Sequence, residues 1–95
     1  MKNRDIAEQF LNHRASSNRS ASLSTDGTRL FSYFTCIAQF HDDPILGKNI
    51  LIGNNTKYST TSSRHLNYVR KYIDVYTSKN VPTGTKDLVN YIWYE

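Results

Sequence analysis

Ninety-five residues, 38% of them hydrophobic, provide for a single domain over 1–95 with one small core, and seven Tyr, four Phe and one Trp make that core rich in rings. Twelve Lys and Arg against eight Asp and Glu leave a net charge of +4 and a pI near 9.3, which favours partners with negative surfaces. A lone cysteine, Cys36, excludes an internal disulfide, and with neither a membrane-length apolar run nor an apolar leader the expected location is the cytoplasm.

Asn3 is placed to cap a helix over 4–15, with Asp5 and Glu8 in the first turn and Ile6, Ala7, Phe10 and Leu11 at helical spacing. His13 and Arg14 complement the dipole at its end. Residues 15–26 carry almost nothing to bury and read as a flexible loop, closed by the turn signal Asp26-Gly27.

Leu30 to Phe40 reads as one strand. Leu30, Phe34, Cys36, Ala38 and Phe40 share one parity, Phe31, Tyr33 and Ile37 the other, so cover is expected on both faces and Cys36 is a small buried hydrophobe. A turn region from His41 to Lys48 leads into a second strand over 49–59, giving an antiparallel hairpin with a long connection. That strand changes from apolar to polar along its length, and Gly53-Asn54-Asn55 marks a bulge.

A helix to about Ser78 follows, capped by Thr61, Ser62 or Ser63, with Leu66, Val69, Ile73 and Tyr76 as its buried stripe. His65 and Tyr72 fall at the edge of that stripe, and Arg64, Asn67 and Lys71 face outward. After a break at 79–84, Thr85 caps a short last helix carrying Leu88, Val89, Ile92 and Trp93, which is expected to dock on the sheet.

Polar chemistry concentrates between Asn55 and Tyr72, where six serines and threonines fall within 56–63. Hydroxyls at a helix entry, with free first-turn N–H groups behind them, suit an anion such as phosphate. Five cations (Lys48, Lys57, Arg64, Arg70 and Lys71) and no acid lie between Asp43 and Asp74, and Tyr58, Tyr68 and Tyr72 are interleaved as stacking groups. A solvated basic face over a tyrosine-filled core is the plainer account of the same residues.

Catalysis finds little support. His65 with Ser59 or Tyr58 is the one nucleophile pairing the spacing offers, and the chain has no nucleophile elbow, P-loop or HExxH. One cysteine and three scattered histidines do not make a zinc site, and four dispersed glycines do not make a dinucleotide fingerprint, so no cofactor is expected.

The block Thr56-Lys57-Tyr58-Ser59-Thr60-Thr61-Ser62-Ser63-Arg64-His65 resembles the hallmark of an uncharacterised family of small phage and mobile-element proteins: Thr-Lys-Tyr-Ser, any residue, two Thr, Ser, a basic residue and His. In that family the hallmark follows an aromatic run similar to Phe31-Ser-Tyr-Phe-Thr-Cys-Ile-Ala38. Ser62 here replaces the second Thr and Phe31 replaces a Tyr, so the resemblance covers about 30–70. It implies a phage or mobile-element source and a host-cytoplasmic location, and no particular activity. By position it marks Tyr33, Thr35, Lys57, Tyr58, Ser59, Thr61, Ser63, Arg64 and His65, either as a ligand site or as a hydroxyl network pinning strand to helix.

The expected fold is α+β: a small antiparallel sheet of two or three strands over about 29–59, packed with an N-terminal helix, a central helix and a short C-terminal helix. So small a sheet needs cover, which leaves room for a homodimer through an edge strand or the C-terminal aromatics. The expected function is binding, not catalysis. Tyr33, Lys57, Tyr58, Ser59, Thr61, Ser63, Arg64, His65, Arg70 and Lys71 are the candidate contacts to nucleic acid. The alternative is a protein-binding inhibitor of a host defence complex, of anti-CRISPR type, using an exposed patch with Tyr91, Trp93 and Tyr94.

Overall fold

Short runs of alternating polarity pair with their neighbours in sequence to build a sheet larger than the apolar content alone suggests. The computed structural model describes residues 3–17, 22–44, 47–56, 58, 60–78 and 80–92. Its strands are β1 (Ala15–Ser17), β2 (Leu23–Asp26), β3 (Arg29–Ser32), β4 (Thr35–Asp43), β5 (Lys48–Gly53) and β6 (Val75–Tyr76). They form one sheet in sequence order, antiparallel through β5, with β6 parallel to β5. Helix α1 (Asn3–Leu11) precedes the sheet, and α2 (Thr60–Asn67) lies in the crossover to β6, as a parallel pairing requires. The structure is therefore α+β but sheet-dominated, which overturns the expected small sheet of two or three strands with three helices.

Each departure has a local cause. The serine-rich 15–26 stretch, read as a loop, supplies β1 and β2, whose contribution is backbone pairing plus the buried Leu23 and Thr25. An edge strand needs little apolar surface, so composition hides it. The run from Leu30 to Phe40 is broken at Tyr33-Phe34, a two-residue loop between the paired Ser32 and Thr35. Tyr33 there takes φ 58, a conformation usually left to glycine, so the loop carries no turn signal.

The helix drawn to Ser78 stops at Asn67. A 3-10 turn at Arg70–Tyr72 follows, and then β6. Val69, Ile73 and Val75 are β-branched and fit a pleated surface better than a helix. Asp74 fixes the return: its N–H donates to Leu51 O at 2.9 Å, and its Oδ2 accepts from Leu51 N–H at 3.0 Å. Gly53 is needed there, because a Cβ would lie 2.6 Å from Ile73 Cδ1. In place of a C-terminal helix, the described residues hold one 3-10 turn, Val89–Tyr91, in an otherwise irregular run.

Both sheet faces are covered, as the two-sided apolar pattern of Leu30–Phe40 requires. On one face Ile6, Ala7 and Phe10 of α1 and Leu66 and Val69 pack on Leu23, Leu30, Ile37 and Leu51. Full burial of Phe10 alone stabilises by about 1.5–3 kcal/mol. On the other, Val81 and Leu88 cover Cys36, Ile50 and Ile52. The C-terminal run is laced to β4: Cys36 N–H donates to Thr85 O, Leu88 N–H to Gln39 Oε1 and Gly84 N–H to Thr35 Oγ1.

A bulge explains how neighbours in β4 serve different faces. Leu30 pairs with Ala38 and Phe31 with Cys36, leaving Ile37 as the extra residue. Ile37 and Ala38 therefore both join the helical face while Cys36 joins the other, against the strict parity expected from sequence. Cys36 is the buried hydrophobe anticipated. Burial pushes its thiol up to about 12, and its Sγ donates to Ala38 O.

Candidate functional site

Four members of the hydroxyl-rich block, Thr56, Tyr58, Ser62 and His65, are bonded within the fold. Asn54, 2% exposed, donates its N–H to Ile37 O at the bulge and its Nδ2 to Cys36 O and Tyr58 OH, and its Oδ1 accepts from Thr56 N–H. Tyr58 OH donates to Val81 O, and Val81 N–H donates to Thr56 Oγ1. This network ties the end of β5, the bulge and the C-terminal run together. Lys57 and Ser59, both named as contacts, lie outside the described residues.

Ser62 and His65 anchor α2 to β3. His65, 2% exposed, has Nδ1 2.7 Å from Ser32 Oγ, which lies 3.1 Å from Ser62 Oγ, and Asn3 Nδ2 lies 3.4 Å from His65 Nε2. The two contacts hold the ring between Asn3 at the start of α1 and Ser32 of β3. A histidine bonded on both sides in this way orders a helix on a strand. Burial pushes the His65 pKa below its ordinary 6.5. The Tyr33 ring lies 6.4 Å from the imidazole, half exposed at the hairpin tip.

The described members of the candidate set do not share one surface. Thr61 and Arg64 are exposed on α2, and Ser63 is half-buried. Ser63 and Arg70 meet Thr56 and Tyr58 around a small polar cavity of about 80 Å³. At roughly 30 Å³ per water it has the size for two or three waters.

Arg70 and Lys71 face a larger space, a cleft of about 680 Å³ between α1 and the chain from Asn67 to Tyr72. Arg4, Ala7, Glu8 and Leu11 form its α1 wall, spaced i, i+3, i+4 and i+7 along one stripe. The opposite wall carries Tyr68 and Tyr72, 38% and 48% exposed. Arg70 Nε donates to Asn67 Oδ1 at 2.7 Å, and Lys71 Nζ sits 5.1 Å from the Tyr72 ring centroid. Three cations and one carboxylate thus line a space walled by two accessible rings.

Arg4, Ser32 and Asn54 are the residues missed by sequence reading. Arg4 was recoverable from its helical spacing to Glu8 and Leu11; Ser32 and Asn54 were not, because both act through contacts that only the fold creates.

Among the described residues no helix is long and apolar enough to cross a membrane, and no group of three or more His, Cys, Asp or Glu is gathered to hold a metal ion. No curated protein and no solved structure matches the chain. A family model does match, over residues 6–90: the chain belongs to a family of unknown function, DUF8033.

Proposed function

We propose that this protein is a nucleic-acid-binding accessory factor of a phage or other mobile element, working in the host cytoplasm by contact with phosphates and without catalysis. The observation that carries the reading is the cleft between α1 and residues 67–72, where Arg4, Arg70 and Lys71 adjoin the exposed Tyr68 and Tyr72. Cations bind the backbone of any sequence, and accessible rings stack on any base.

Fluorescence anisotropy against labelled single-stranded DNA, duplex DNA and RNA over a salt series tests it. Replacing Arg4, Arg70 and Lys71 together by Ala should weaken binding and flatten the log-log salt slope by roughly 2 for a single strand. Unchanged affinity would remove the cleft from the reading.

A second reading, an inhibitor that binds a host defence protein, draws on Phe34, which stands 81% exposed at the β3–β4 tip beside Tyr33. An apolar ring in such a position is suited to anchor a partner. Phe34→Ser should then abolish a nuclease-resistant complex recovered from host lysate. Retention of that complex would reject the tip as its anchor. Tyr91 is half-buried in the C-terminal run, and Trp93 and Tyr94 lie outside the described residues.

A further inference from the structure

A second cleft, of about 440 Å³, continues from the basic one and shares Glu8, Leu11 and Tyr72 with it. Its chemistry is different. Phe40 and Leu51 of the sheet line it, together with Leu11 of α1 and Tyr72. Its remaining polar members are Asn12, Asn49 and Asp74, with no cation among the described lining residues. Phe40 is held in place by Phe10 and His13, with ring centroids at 4.8 and 4.3 Å.

The two clefts form one groove along α1 from Arg4 to Asn12, about 12 Å at 1.5 Å per residue. One end suits a phosphate, and the other suits a flat, partly apolar group with hydrogen-bond donors on its edge. Tyr72 stands at the junction with Lys71 beside its ring. A nucleotide has this division of chemistry, whereas a base inside a duplex is paired and stacked out of reach.

We infer that the groove takes an unpaired nucleotide, its phosphate among Arg4, Arg70 and Lys71 and its base in the cleft beside Tyr72 and Phe40. Asp74 keeps acceptor capacity beyond the one bond from Leu51 N–H, and Asn12 and Asn49 offer amide oxygens, the Asn49 Nδ2 being given to Asp42 Oδ1, so bases with an exocyclic amino group are favoured. The inference rests on the proposed phosphate contacts and adds that the ligand is single-stranded nucleic acid, DNA or RNA.

The test compares four labelled probes by anisotropy at low salt: oligodeoxycytidylate, oligocytidylate, duplex DNA, and an abasic oligonucleotide with the same number of phosphates. The two cytidylates should bind at least about tenfold more tightly than the abasic strand and the duplex. Tyr72→Leu should remove most of the advantage over the abasic probe, and Asn49→Ala, at an exposed position, should reduce it. Equal affinity for abasic and cytidylate strands, or a preference for duplex, would overturn the base site and leave the phosphate contacts standing. Failure of all four probes to bind would overturn the phosphate reading and this inference with it.

Discussion

The block from Thr56 to His65 and the wall from Asn67 to Tyr72 adjoin in sequence and differ in how far the fold engages their side chains. In the first, Thr56, Tyr58, Ser62 and His65 have partners inside the fold, on β3, the β5 end or the C-terminal run. In the second, Arg70, Lys71, Tyr68 and Tyr72 remain exposed around an open cleft. Polar density in a sequence therefore marks where hydrogen bonds form; it does not distinguish bonds within the fold from bonds to a ligand. Accessibility makes that distinction, and it favours the wall.

The largest expected effect that separates the two regions is at Asn54. Truncation to Ala leaves Cys36 O, Thr56 N–H and Tyr58 OH each short of one partner in a buried setting, and should cost about 3 kcal/mol of stability in a urea titration. Nucleic-acid affinity of the folded fraction should stay as in the parent protein. A small loss of stability with a large loss of binding would reverse the comparison and make the block the contact surface.

Particular residues show what was legible in the sequence. Asp26-Gly27 announced its turn correctly: Gly27 takes φ 99, and Asp26 Oδ1 accepts from Thr28 and Arg29 N–H. The β4–β5 hairpin followed from two β-favouring runs joined by the turn residues between His41 and Lys48, and cover on both faces followed from the two-sided apolar run. The Tyr33-Phe34 turn was hidden because neither residue favours one, and β1 because a solvated edge has no apolar alternation. β6 was hidden because Leu66, Val69 and Ile73 keep helical spacing although the helix ends at Asn67. At the candidate site, Tyr68, Arg70, Lys71 and Tyr72 were legible as a basic and aromatic cluster. The facing Arg4 and Glu8 lie some sixty residues away, at a distance in sequence that no local pattern spans.

His65 provides the smallest and most selective test of the block as structure. Its folded pKa is lowered by burial, so between that value and the unfolded value near 6.5 the unfolded chain binds more protons than the native one. Stability then rises with pH through that window, and it falls as pH drops below about 6.5. His65→Asn keeps an amide near the Nδ1 position for Ser32 and removes the titration. The parent's urea midpoint should decline from about pH 7.5 to about pH 5 more steeply than the variant's, while nucleic-acid affinity at the upper pH is the same for both. Equal slopes would mean that the imidazole titrates alike in the folded and unfolded chain. Its contacts to Ser32 and Asn3 would then not discriminate between the neutral and the charged ring, and burial at this position would carry no cost for the charged form.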